Sequence, residues 1–295
     1  MRAGVRAALL LSRLFSSAGP LAKYSTHNVH QSSSLTTCVA DRVSIVPAYH
    51  TLFSEFCRLQ GQTVLELGCS RGYLLASLLD IESFRAIGVD RDAAALADGA
   101  TRYGDRIEFV RSDEVSIPLP DASCDLAYTV DTVEHLSNPE AIFREVYRVL
   151  RPGGLFFVHF HPWFGPYGAH LSEIIPFPWP HVLFSMPTLL EAAARRYESP
   201  DYAPPFYRID PNTGQRRENP YRGDWSYYLN PDMTIRGFRR FLRRLPFRVL
   251  HERRIGFGGK GAPLAKLLRP LAQVPGLDEF FSSAVFSVCQ KGEPD

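Results

Sequence analysis

Short apolar runs closed by glycine or acid alternate with stretches whose apolar residues recur every three or four positions. Residues 42–60 read as a lead-in helix. Thr63–Leu67 (TVLEL) sits between Gly61 and Gly68 and predicts a buried strand, with a turn over Gly68–Gly72. Leu74, Leu75, Leu78 and Leu79 follow at helical spacing. Arg85–Val89 predicts a second strand ending at Asp90, Ala93–Gly99 a helix, and Arg106–Val110 a third strand. Leu126–Val130, after the turn Pro120–Ser123, predicts a fourth. Pro139–Leu150 places Ile142, Val146, Val149 and Leu150 on one helical face. Arg151–Gly154 (RPGG) stops that helix, because proline and two glycines do not continue it. Leu155–Phe160 predicts a fifth strand.

Strand and helix alternating in this way imply a parallel sheet with helices on both faces, an α/β doubly wound, Rossmann-like arrangement. Ligands of such sheets bind outside the carboxyl ends of the strands, so the residues that matter follow each strand. The pattern changes at His161. Residues 161–231 are dense in proline and aromatics and read as an inserted lid. Met233–Leu245 then predicts an arginine-rich helix, Phe247–Arg254 a strand, Gly256–Gly276 a basic excursion and Ala284–Gln290 a last strand. Those last two strands suit an antiparallel edge and bring the sheet to about seven strands. The expected organisation is a basic, mobile leader over 1–40, a cofactor-binding core over 41–160, the lid over 161–231 and completion of the sheet over 232–295.

Composition narrows the class of protein. The chain has 295 residues, of which 45% are hydrophobic and 22% charged, so it can bury a full core without staples. A formal net charge of +2 gives no general argument for nucleic acid or membrane partners. The five cysteines are scattered without C-x-x-C spacing, so neither a disulfide framework nor a zinc site is indicated. Residues 1–40 carry Arg2, Arg6, Arg13 and Lys23 but no acid. That suits a mobile leader on a cytoplasmic protein, with organellar import as the alternative, and no apolar run reaches transmembrane length.

Four strand-end elements carry candidate chemistry. After strand one comes Gly68-Cys69-Ser70-Arg71-Gly72, whose small residues admit close approach of a ligand to the backbone. The spacing G-x-S-x-G differs from the dinucleotide fingerprint G-x-G-x-x-G. Asp90 after strand two can accept ribose hydroxyls, or alternatively cap the next helix. Ser112-Asp113-Glu114 follows strand three, and Thr129–Leu136 (TVDTVEHL) spans the end of strand four.

In these segments the chain resembles the class I methyltransferases that depend on S-adenosylmethionine, of the group acting on small molecules. The resemblance runs from Gly61 to Phe160 and is carried by VLELGCSRG (64–72), IGVD (87–90), SDEVSIPLPDASCDLAYTVDTVEHL (112–136) and EVYRVLRPGG (145–154). It implies that Glu66, Gly68, Ser70 and Gly72 surround the methionine part of the cofactor, Glu66 through water to its ammonium. It also implies that Asp90 holds the ribose, that Asp113 holds the adenine amine beside the Glu114 backbone, and that Val130 lies near the transferred methyl. Ser70 departs from the usual middle glycine, and Cys124 from the usual aromatic.

Methyl transfer needs alignment of an acceptor and exclusion of water; a base is needed only when the acceptor must lose a proton. The base candidates are His135, His159, His161 and His170, with His161 preferred, then His135. No metal is expected, since the spacing of His161, His170 and His181 matches no standard site. Trp163, Tyr167 and His170 are the candidate acceptor contacts. Arg236, Arg239, Arg240, Arg243 and Arg244 share one predicted helix, which keeps an RNA methyltransferase in view. A catalytically inactive cofactor-binding protein is the other alternative.

Overall fold

The computed structural model describes residues 2–16, 19–21, 43–113, 115–205, 208–210, 213–223, 230–257 and 267–292. In chain order it contains helices α1 (Ala3–Phe15) and α2 (Val46–Ser54), then strand β1 (Thr63–Leu67), α3 (Tyr73–Leu79), β2 (Arg85–Asp90), α4 (Ala93–Tyr103) and β3 (Ile107–Arg111). These are followed by β4 (Cys124–Val130), α5 (Pro139–Val149), β5 (Leu150–Phe160), α6 (Met186–Glu198), α7 (Ile235–Arg243), β6 (Phe247–Gly256) and β7 (Ser282–Lys291).

The strands form one sheet in the order β3-β2-β1-β4-β5-β7-β6. Strands β3 to β5 pair in parallel, and β7 pairs antiparallel with β5. All five residues of β1 are buried, as a strand covered on both faces requires. The strand order reverses between β1 and β4, which creates the crevice where ligands of open α/β sheets bind.

The chain divides into two compact units. The first comprises residues 42–160, 235–253 and 285–295 and contains most of the sheet. Its core packs Phe53, Leu75, Leu78, Leu126, Tyr128 and Phe157. Helix α5 buries Ile142, Phe143, Val146 and Val149, and Phe143 meets Phe156 and Phe238 edge-on. Phe238 belongs to α7, which buries Ile235, Phe238 and Leu242. Two arginines at this helix are paired, Arg239 with Glu252 and Arg244 with Glu140. The arginine-rich segment is thus an amphipathic packing helix with part of its charge neutralised inside the same unit.

The second unit comprises residues 1–41, 161–234 and 254–284. It differs from expectation in three respects. Residues 3–15, read above as part of a mobile leader, form α1, whose Val5 and Ala8 are buried in one cluster with Leu189, Ala192 and Ala193 of α6. The apolar run Ala7–Leu11 is short for a membrane but long enough to give one helix face something to bury. Helix α6 was not expected inside the lid; Pro187 in its first turn and Leu189, Ala193 and Tyr197 at helical spacing are its signals. The unit also takes in residues 254–284, placed above with the sheet. In the first unit, β5 begins at Leu150 rather than at residue 155. The RPGG stretch already belongs to the strand, which is irregular there, with Gly153 at φ +75° and a register shift opposite Cys124–Leu126. Among the described residues, no helix is long and apolar enough to cross a membrane.

Candidate functional site

The turn after β1 is built for close approach. Gly68 and Gly72 have φ of +80° and +77°, and Ser70 between them has φ +49°, all in the left-handed region. A Cβ on Gly72 would come within 2.8 Å of the Phe109 ring. The Gly68 and Cys69 amides donate to the Val89 carbonyl at the end of β2. The Ser70 amide donates to Asp90 Oδ2 at 2.7 Å, and the Asp92 amide donates to Asp90 Oδ1 at 2.9 Å. Asp92, not Asp90, caps α4, accepting from the Ala94 and Ala95 amides. The Asp90 carboxylate therefore braces the glycine turn across two strand ends.

A cavity of about 240 Å³ opens at these strand ends. Leu67 and Gly68 line it from β1, Val89–Arg91 from β2, Ser112 from β3, and Asp131, Thr132, His135 and Leu136 from the segment after β4, with Ile142 beside them. The wall combines apolar side chains with the acids Asp90 and Asp131, the hydroxyls of Ser112 and Thr132, Arg91 and His135. That donor set suits a ligand combining hydroxyls with a flat apolar ring, and so fits a nucleoside-bearing cofactor such as S-adenosylmethionine.

Among the expected cofactor residues, Gly68 and Asp90 line the cavity. Ser70 and Gly72 shape the turn. Glu66 is buried in β1 at 3% exposure and stands in register with Tyr128 of β4. Burial, and next the charge of the nearby Glu66 carboxylate, push the Tyr128 phenol well up. Asp113 Oδ1 accepts from the Val115 and Ser116 amides and from the Ser116 hydroxyl. Those bonds, the Val115 amide foremost, hold its carboxyl below the ordinary aspartate value. Asp113 is not among the cavity-lining residues, although its neighbour Ser112 is. Val130 is buried at the end of β4. Glu114 lies outside the described residues.

Of the base candidates, His135 lines the cavity. His161 belongs to the other unit, where its Nδ1 lies 2.5 Å from the Ser283 carbonyl oxygen. The structure gathers His161, Tyr167 and His170 there, with the His161 ring 5.9 Å from Tyr167 and 5.8 Å from His170. Trp163 packs on His181, with ring centroids 4.8 Å apart. The His181 Nε2 bonds the Trp163 carbonyl, and burial lowers this imidazole to a pKa of about 4. Tyr167 is pushed up by burial.

Sequence reasoning named Thr129–Leu136 as a strand-end element but gave Asp131 and Thr132 no individual role, and it did not favour His159, whose Nδ1 lies 2.9 Å from Asp131 Oδ1. The signal was present. In parallel register Val130 stands opposite His159, so the acid following β4 meets the histidine near the end of β5.

Comparison with known proteins finds similarity over part of the chain. A family model described as a methyltransferase domain matches residues 65–158. A probable S-adenosylmethionine-dependent methyltransferase of Mycolicibacterium smegmatis is 40% identical over 101 residues, 34% of this chain and 38% of that protein. An uncharacterized methyltransferase of Mycobacteroides abscessus is 34% identical over 121 residues, 40% of this chain and 46% of that protein. The chain thus spans less than half the length of these relatives. Among solved structures, an S-adenosylmethionine-dependent methyltransferase from Mesorhizobium loti superposes with a TM-score of 0.52 at 18% identity, covering 84% of this chain and 99% of that one. A methyltransferase of the same dependence from Methanosarcina mazei gives 0.51 at 17% identity, covering 82% and 98%. At these identities the two structures show the shared fold.

Proposed function

We propose that the chain is a class I, S-adenosylmethionine-dependent methyltransferase that transfers a methyl group from that cofactor to a small-molecule acceptor; the match of residues 65–158 to a methyltransferase domain supports this. The cavity at the β1/β4 reversal, edged by the Gly68 turn and by Asp90, is the observation that carries this reading. The cofactor, when bound, supplies a methyl made electrophilic by an adjacent sulfonium.

The chain's own residues do the rest. Asp90 accepts the ribose hydroxyls with the lone pairs left beside its bonds to the Ser70 and Asp92 amides. The turn over Gly68, Ser70 and Gly72 presents backbone to the methionine part, and Glu66 draws the ammonium. Ser112 and Asp113 hold the adenine edge, while Leu67, Val89, Leu136 and Ile142 exclude water around the ring. Val130 and the segment after it border the methyl.

Selection of the acceptor falls to residues 161–231, since the chain leaves β5 at Phe160 directly into that segment. Trp163, Tyr167 and His170 are its proposed contacts. The pairing of Arg239 and Arg244 and a net charge of +2 favour a small molecule over RNA.

The test is incubation of the full chain with labelled S-adenosylmethionine and a fractionated cell extract. Label entering a low-molecular-weight product, identified by mass, supports the reading. Label entering only the RNA fraction, or no fraction, contradicts it.

A further inference from the structure

Parallel strands are normally joined by backbone bonds alone, and the ends of β4 and β5 are: the Asp131 amide donates to the His159 carbonyl at 3.1 Å. A second link runs beside it. Asp131 Oδ1 and His159 Nδ1 lie 2.9 Å apart, and Asp131 reaches that position from a φ of +52°, a conformation that L-residues adopt at some energetic cost. The carboxylate borders the cavity at the sheet reversal. The imidazole is turned edge-on by the Tyr49 ring of α2, with centroids 5.9 Å apart at 85°, and its side chain keeps 14% of its surface exposed. Among the groups that face this imidazole are Asp131 from the end of β4, Tyr49 from α2 and the apolar Phe286 from β7 in register opposite it.

We propose that Asp131 and His159 are a proton-accepting pair for methyl transfer, with His159 taking the acceptor's proton and Asp131 positioning it. This rests on the methyltransferase reading and narrows the acceptor to a group bearing a proton on its attacking atom, such as a hydroxyl or a thiol. A carboxylate on Nδ1 keeps the neutral ring's proton there and leaves the basic lone pair on Nε2. The acceptor's electron pair forms the new bond to the methyl carbon as the sulfur–methyl bond breaks. The broken bond's pair stays on sulfur, and the acceptor proton passes to Nε2 and then to water.

The test reads the ring directly. In the ¹⁵N-labelled full chain saturated with S-adenosylhomocysteine, the His159 resonances are assigned through contact with the Tyr49 ring. The expected result is a neutral ring protonated at Nδ1 and bare at Nε2, shifting toward the other tautomer in Asp131→Asn. A wild-type ring protonated at Nε2 and bare at Nδ1 overturns the proposal. In parallel, label transferred from S-adenosylmethionine into small molecules of a cell extract should fall at least a hundredfold in His159→Gln, with affinity for S-adenosylhomocysteine within threefold of wild type. A folded variant that keeps its transfer rate overturns the proposal whatever the tautomer. If the wild type binds neither form of the cofactor, the methyltransferase reading itself fails and the proposal falls with it.

Discussion

Gly68 and Thr132 approach so closely that a Cβ on residue 68 would lie 2.2 Å from the Thr132 hydroxyl oxygen and 2.4 Å from its methyl. The turn after β1 and the segment after β4 are therefore in van der Waals contact across the crevice, at a residue whose φ of +80° already favours glycine. Gly68→Ala should displace one of the two cavity walls and weaken S-adenosylhomocysteine by more than tenfold, or about 1.4 kcal/mol. Thr132→Gly in the same chain should restore part of the loss. Calorimetric titration of the single and double variants checks this, and an unchanged affinity in Gly68→Ala would show that the turn does not shape the site.

Asp90 links the Ser70 amide to α4 while facing the cavity. Asp90→Ala removes those bonds and the acceptor sites for ribose hydroxyls, each charge-assisted bond contributing about 1.5–3 kcal/mol before water recovers part of it. The expected outcome is a cooperatively folding protein with at least tenfold weaker cofactor binding. Full affinity in a folded variant would reduce Asp90 to a brace for the loop.

The sheet was legible in the sequence because a strand buried on both faces must be apolar throughout, as TVLEL is, and because Gly68 and Asp90 stand where the chain turns out of such strands. The strand-end acids on the cavity were half legible. Asp90 follows its strand directly, whereas the partnership of Asp131 with His159 depends on a register that no local pattern displays. The second unit was the least legible part. Helix α1 buries its face against α6, some 170 residues later in the chain, and a helix stabilised by so distant a partner looks locally like a basic leader.

That packing has a direct consequence. Val5 is 2% exposed in the cluster with Leu189 and Ala192. Val5→Asp places a charge there and should lower the thermal midpoint, with a cost above about 2 kcal/mol, while an aspartate at the exposed Leu10 should not. Identical melting of all three proteins would show that α1 adds nothing to the unit's stability.

Glu145 contributes a pH dependence. The Arg148 guanidinium, bonded to its carboxylate and also to the Ile117 and Leu119 carbonyls, holds the Glu145 carboxyl below the ordinary glutamate value. The folded state thus prefers the ionised form. Its stabilisation is fully present above the unfolded value of about 4.3 and is lost as pH falls through the lower folded value. Glu145→Gln should be less stable than wild type near neutrality, and the gap should close in urea melts at about pH 3. A gap that stays constant across that range would contradict the ionic account.

The central claim is that the strand-end cavity is a nucleoside-cofactor site of the methyltransferase kind. Titrating the full chain, without added metal, against S-adenosylmethionine, S-adenosylhomocysteine and NAD in one calorimetric series tests it most directly. The account predicts one-to-one, micromolar-range binding of the two methyl-donor forms, weakened in Gly68→Ala and in Asp90→Ala, and no binding of NAD. Clear binding of NAD with none of S-adenosylmethionine or S-adenosylhomocysteine would contradict it.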